Sequence, residues 1–227
     1  MKSSWIKLVL AISLDGRLSF TPSSKIHLGG VGDRKILEEA LAWADASIIG
    51  AETLRIHKTT CLIHNKKLIE ERKKKGSNQQ PICLVASKKV DFNGNLPFFN
   101  QPINRWLITN KDSLDKAMEI KAFDEVIIIP SNWPKAIEEL NKRGLSKIVL
   151  LGGAQLINSF LEEDQVDELQ LTLVPKVLGG ENTWTSYQSN NMPINMHKSN
   201  SWILKETQNL GKNEIMLRYF RNRNNAN

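Results

Sequence analysis

The residues best suited to chemistry in this chain of 227 residues lie in four turn segments, each combining glycine with a polar side chain or open backbone amides. The sharpest is Leu151-Gly152-Gly153-Ala154, which ends an apolar run and opens a helix-forming stretch. A glycine pair permits close backbone approach. The amides at a helix start add donors and a positive dipole end, a combination that binds phosphate. The segment has neither the Gly-Lys-Ser/Thr of a P-loop nor a full Gly-x-Gly-x-x-Gly fingerprint, so a plain strand-to-helix turn is the competing reading. Ser13-Leu14-Asp15-Gly16-Arg17 ends a second apolar run in an Asp-Gly turn. Ile49-Gly50-Ala51-Glu52-Thr53 sets a glycine and a hydroxyl three residues apart, and Val174 to Gly180 carries Pro175 and another glycine pair. Asp15 could orient a substrate hydroxyl or move a proton; it equally suits its own Asp-Gly turn whatever the function. His57 could act near neutral pH, although a lone loop histidine is usually only solvated.

These turns need a sheet to position them. Ile6–Ile12, Ser47–Gly50, Ile82–Ala86, Arg105–Thr109, Val126–Ile129 and Lys147–Leu151 read as buried strands, the fifth stopped by Pro130. Between them fall helical stretches: one capped by Asp33 and running to about Asp45, a basic piece around Leu68–Arg72, one capped by Asp112 through Met118, Lys135–Arg143 after Pro134, and Ala154–Leu161. Continuous apolar strands alternating with helices imply a mostly parallel sheet covered on both faces. Asp167–Val174 alternates instead, and Trp202–Lys205 and Glu214–Tyr219 around a Gly211-Lys212-Asn213 turn read as an antiparallel hairpin at a sheet edge. The expected organisation is a single α/β domain over 1–221 with a disordered polar tail over 222–227. In such a sheet, ligands sit beyond the carboxyl ends of the strands, so the turns can share one crevice. Trp43, Trp106 and Trp202 read as packing residues.

Composition removes several function classes. Cys61 and Cys83 form no Cys-x-x-Cys, and His27, His57, His64 and His197 form no pair at helical spacing. No metal site or disulfide framework is expected, and a reducing cytoplasm is the natural compartment. No apolar run approaches the roughly 20 residues that cross a bilayer, and the first one ends in Asp15-Gly16-Arg17 rather than a cleavage site. The formal charge of +7 gathers at Lys66-Lys67, Arg72–Lys75, Arg218, Arg221 and Arg223. That pattern fits a nucleic-acid surface, or a solvated helix face and frayed tail whose field draws anionic small molecules. With no interleaved aromatics and no recognised motif, no nucleic-acid partner and no membrane partner are expected.

Taken in order, Ser13–Arg17, Gly50-x-x-Thr53, Leu151-Gly152-Gly153, Ser159-Phe160-Leu161, Val166-Asp167-Glu168-Leu169 and Pro175-x-x-Leu178-Gly179-Gly180 resemble the reductase domain of bacterial riboflavin biosynthesis, whose fold is similar to dihydrofolate reductase. The resemblance covers the chain to about Gly180. It implies a homodimer and NADPH as cofactor, held by Ala11, Thr53, Ser87, Gly152, Gly153, Ala154, Gln155 and Leu156, within a segment running to Ser159. It also implies a phosphorylated pyrimidine substrate, 5-amino-6-(5-phosphoribosylamino)uracil, reduced to its ribitylamino product. Leu151 stands where the family commonly has a substrate-binding Glu, and Ile56-His57-Lys58-Thr59 replaces Ala-Asp-Asp-Pro. His27 takes the place of a Trp. Leu41 takes that of an Arg that holds substrate phosphate, leaving Lys25 or Lys58 as alternative cations. Lys25, His57 and Leu151 are therefore the candidate substrate contacts. A dihydrofolate-like substrate on the same fold is the alternative. It would need a buried carboxylate on the first helix, where Glu38 and Glu39 read as surface residues.

Overall fold

The computed structural model describes residues 4–19, 21, 28–120, 122–128, 132–185 and 191–223. Lys25, His27 and the Ile129-Pro130 end of the fifth strand lie outside them. Within them, one sheet contains β1 (Trp5–Ser13), β2 (Ala46–Gly50), β3 (Ile82–Ala86), β4 (Arg105–Thr109), β5 (Glu125–Ile128), β6 (Lys147–Gly152), β7 (Glu168–Val174), β8 (Trp202–Gly211) and β9 (Glu214–Arg221). Its order is β5-β4-β3-β2-β6-β1-β7-β9-β8. The first seven run parallel, and β8 and β9 form the antiparallel edge hairpin. The expected architecture holds, with one change: β7 is an interior strand, parallel to β1 and antiparallel to β9. Its alternating pattern comes from Glu168, Gln170 and Thr172, which are buried polar residues rather than solvent-facing ones.

Among the described residues six α-helices cover the sheet: α1 (Val31–Trp43), α2 (Ala51–His57), α3 (Lys66–Lys74), α4 (Leu114–Glu119), α5 (Trp133–Lys142) and α6 (Ala154–Glu162). On one face, Ile137 and Leu140 of α5 and Ile157 and Phe160 of α6 pack on Leu8, Leu10, Ile48, Leu84, Ile108 and Leu150. On the other, Ala40 and Leu41 of α1 meet Val9 and Val149, while Leu54 of α2 and Ala117 of α4 meet Ile49, Val85 and Leu107. Successive strand residues thus alternate between the two helix layers, as the pleat requires. Trp106 and Trp202 pack against the first layer, and Trp43 against the second beneath the Lys7 ammonium, 4.3 Å from its ring.

Tertiary partners move several helix ends from their expected places. Gly30, not Asp33, precedes α1, because Glu214 of β9 accepts the Gly30 amide at 2.8 Å and does the work of a local cap. Asn110 rather than Asp112 caps the turn that leads into α4. Asn132 caps α5, so the helix starts at Trp133 with Pro134 in its first turn. α2, which follows Gly50 without a gap, has no separate sequence signal. Glu38 is buried, not on the surface: its carboxylate accepts the His64 and Asn65 amides, each at 2.8 Å.

The basic run is not one solvated face either. Arg72 is buried, and its Nη1 donates to the carbonyls of Ala42 and Ala44 at 3.0 and 2.6 Å at the end of α1. Its Nε donates to Asn78 O at 2.8 Å. A cation there meets the negative end of the helix dipole and orphan carbonyls together. At the other terminus, Arg221 pairs with Asp164 at 2.7 Å and Arg223 with Asp167 at 2.6 Å, so neither belongs to a frayed end. Asn222 is likewise bonded, to Asn200 O, and 224–227 lie outside the described residues.

Asp15 ties two loops together. Ser13 Oγ donates to its Oδ1 at 2.5 Å, and the amides of Leu178 and Gly179 donate at 3.1 and 2.8 Å. These donors, Ser13 first and Gly179 next, pull its pKa down from 3.8 to about 2. A depressed carboxylate stabilises the fold above its unfolded pKa and loses that contribution as pH falls through the folded value. An NMR titration will therefore place the Asp15 carboxyl near 2, and its link to Leu178 and Gly179 will persist from neutral pH to below pH 4; a midpoint near 4 would refute this clamp. Arg72→Met keeps the stem but orphans the α1 carbonyls. It is expected to cost about 2 kcal/mol, read as a Tm lower by roughly 4–8 °C; an unchanged Tm would show that the cap contributes nothing.

Candidate active site

Parallel strands end on one side of the sheet, and their register brings the glycine turns level. Gly50 pairs with Ala86, and Ile49 pairs with Gly152. Between β2 and β6 the register shifts: Ile48 faces Leu150, yet Ile49 faces Gly152, so Leu151 is the extra residue of a bulge. The chain then turns at Gly152, whose φ of +95° lies in the left-handed region that favours glycine. The Gly152–Gly153 peptide bond is cis. A side chain at Gly153 would begin 2.8 Å from Thr53 Oγ1 and would push that hydroxyl aside, so glycine here lets the starts of α2 and α6 meet closely.

A cleft of about 1500 Å³ opens along these strand ends. Single small-molecule sites run to about 1000 Å³, so this one has room for two ligands. Ala11 and Leu151 line its floor, and Gly153, Ala154, Gln155 and Leu156 bring the open start of α6, which no side chain caps. Thr53 and His57 of α2 form one flank. Beyond β3 stand Ser87, Lys88 and Lys89, where the Ser87 hydroxyl donates to the Lys89 carbonyl and shapes the loop. Leu18, Asn182 and Thr183 come from the loops that Asp15 joins, which also pair through an Arg17–Thr183 bridge.

The candidate residues therefore divide. Ala11, Thr53, His57, Ser87, Leu151 and Gly153 to Leu156 share the cleft. Gly152 sits just behind the wall, buried. Asp15 and Lys58 are absent from the lining; Asp15 is engaged by its loop amides, and Lys58 is the exposed left-handed cap of α2. Lys25 lies outside the described residues. Leu41 is fully buried between α1 and the sheet.

Sequence reading passed over Arg34 and His64, which line the end of the cleft nearest α1. Their signal was weak because neither belongs to a glycine turn. Arg34 meets Glu38 at 3.4 Å. Burial raises the pKa of the Glu38 carboxyl, but the Asn65 and His64 amides and Arg34 outweigh it and hold the group below its ordinary value.

The sequence pattern of the RibD C-terminal domain matches residues 4–213. The chain is 27% identical over 195 residues to a 2,5-diamino-6-ribosylamino-4(3H)-pyrimidinone 5′-phosphate reductase of Aquifex aeolicus, covering 82% of this chain and 83% of that relative. It is 23% identical over 180 residues to a reductase of the same name from Archaeoglobus fulgidus, covering 78% and 82%. Among solved structures, a pyrimidine reductase-like protein of Corynebacterium diphtheriae superposes with a TM-score of 0.75 at 22% identity, over 97% of this chain and 92% of that one. A Thermotoga maritima protein described as a diaminohydroxyphosphoribosylaminopyrimidine deaminase/5-amino-6-(5-phosphoribosylamino)uracil reductase gives 0.74 at 15%, covering 97% of this chain and 57% of that one. With the same fold in these structures and a family match over residues 4–213, this chain belongs to the RibD C-terminal domain family.

Proposed function

We propose that the protein is an NADPH-dependent reductase of riboflavin biosynthesis that converts the ribosylamino group of a pyrimidinone 5′-phosphate to a ribitylamino group. The observation that carries this is the joining of the Gly152-Gly153 turn, Thr53, Ser87 and the floor residue Ala11 in one cleft large enough for two ligands. The residues present fit a dinucleotide. The uncapped α6 amides and the close glycine approach suit its pyrophosphate. Thr53 offers a hydroxyl to ribose or phosphate. Lys88 and Lys89, both exposed beside Ser87, favour the extra 2′-phosphate of NADPH over NADH.

The cofactor supplies hydride; the chain's own task is to orient donor and acceptor and to shield them from water. The half-buried Leu151 and Ala11 suit a flat, apolar contact at the reacting centre. Leu151 cannot accept a hydrogen bond, so the pyrimidine ring must find its polar contacts elsewhere on the wall. Glu38 does not face the cleft, its two oxygens being taken by Arg34, His64 and Asn65, so it offers no carboxylate to a pterin. The cytoplasm and a homodimer complete the reading. Ile203, Leu204 and Ile215 expose apolar surface on the hairpin that a second copy could cover.

Two ring forms deserve assay side by side. The uracil form is the expected substrate. The 2-amino form is supported by relatives that this chain matches over 82% and 83% of their length and that are named for it. Purified protein is expected to oxidise NADPH with one or both 6-ribosylamino 5′-phosphates, giving the ribitylamino product; flat absorbance of reduced nicotinamide with both, while a control reductase turns over, would overturn the reading. kcat/KM is expected to be at least tenfold higher with NADPH than with NADH, and the advantage should shrink in Lys88→Gln/Lys89→Gln. Thr53→Val should raise the KM for NADPH about tenfold, the loss of one hydrogen bond to a charged or polar group, with the pyrimidine KM little changed.

A further inference from the structure

We propose that Arg34 is the cation that grips the phosphate of the substrate in this chain, and that Glu38 is the residue that positions it. This rests on the reductase reading above and adds to it the end of the cleft at which the substrate is anchored. The basic side chains that mark the two ends of the cleft fall into two groups. Lys88, Lys89 and Arg55 stand beyond β3, while Arg34 and His64 stand on the far side of the cleft at the start of α1, which bonds to β7 and β9 beyond β1. β3 and β1 are three strand steps apart, through β2 and β6, a separation of about 14 Å at the usual spacing. One phosphate cannot reach both. With the cofactor using the β3 end, the second anionic ligand has Arg34 and His64.

Helix geometry explains how α1 can supply this cation although Leu41 stands where an arginine was expected. Arg34 precedes Leu41 by two helical turns and so lies on the same stripe. Leu41 is fully buried between helix and sheet, whereas the stripe emerges over the cleft at Arg34, whose side chain is 48% exposed. The helix start is itself held, by the Glu214–Gly30 bond.

Glu38 fixes the geometry. Its Oε1 accepts Arg34 Nε at 3.4 Å, and its Oε2 accepts the amides of His64 and Asn65. One buried carboxylate thereby sets the guanidinium against the backbone that carries His64. The contact uses Nε, which leaves the two terminal nitrogens as a fork for phosphate oxygens. Asp33 also lines this end and repels a phosphate. The anion must therefore sit on the side of Arg34 away from Asp33.

Ribose 5-phosphate titrated by calorimetry into the protein with NADPH present tests the site without turnover. Wild type is expected to bind it. Arg34→Gln should weaken binding at least tenfold and Arg34→Lys less, while NADPH affinity stays the same. Glu38→Gln should weaken it severalfold, again without changing NADPH affinity. In turnover, Arg34→Gln should raise the KM of the phosphorylated pyrimidine by tenfold or more with a smaller change in kcat, and should not alter the KM for NADPH. Ribose 5-phosphate binding that is undetectable in wild type, or unchanged in Arg34→Gln, would overturn the proposal. If binding depends on Arg34 but neither pyrimidine is reduced, the anion site stands and the reductase reading falls. If both pyrimidines turn over and Arg34→Gln behaves as wild type, only the Arg34 assignment falls.

Discussion

In a sheet whose strands run the same way, every carboxyl end lies on one side, and the register between neighbours decides what that side presents. Here the decisive pairing is β2 with β6. Setting Ile49 opposite Gly152 rather than Leu151 brings two helix starts, at Ala51 and Ala154, side by side. The bulge also leaves Leu151 packed against both the Leu54 and the Leu41 clusters of one face while still on the cleft floor. A bulge re-aims a side chain at small cost in ladder bonds. Without it, the Gly153–Thr53 approach and the shape of the crevice would both change.

What the sequence made legible was what is local. Apolar runs marked six of the seven parallel strands and an alternating run marked β7, and the glycine turns identified most of the cleft wall, because a strand-to-helix turn carries its own residue chemistry. The missing features depend on residues far apart in the chain. No local pattern shows that Glu214 would serve the start of α1, that Glu38 would turn inward to two amides 26 and 27 residues later, or that β7 would be walled on both sides. Arg34 was obscured for the same reason: its place on the cleft follows from how α1 crosses the sheet, not from its neighbours in sequence. Asp112 and Asp33 show the converse, since plausible caps lost to Asn110 and to a distant carboxylate.

Charge is put to structural use throughout. Arg72, Arg221 and Arg223 contribute to the net +7, yet each is spent on carbonyls or carboxylates of the fold. Buried cations such as Arg72 and Arg221 hold geometry more than they add stability, because desolvation offsets much of the attraction. Lys7 and Glu168 repeat the theme inside the sheet, 3.1 Å apart, with Trp5 Nε1 on the same carboxylate. A high isoelectric point is thus a poor guide to partners here, while the few cations on the cleft wall carry the functional information.

The bond between Glu214 and Gly30 joins the last strand of the sheet to the first helix across 184 residues. A chain emerging in order from the ribosome makes α1 early and β9 late, and contacts so distant in sequence form only after the loop between them has closed. The crevice is therefore assembled from its centre outward. The parallel strands can dock while synthesis continues, but the α1 end of the cleft gains its final alignment only when the C-terminal hairpin has paired with β7. Binding competence and completion of the fold then arrive together, and a nascent or clipped chain lacking β9 would keep its glycine turns yet leave one end of the cleft unmoored.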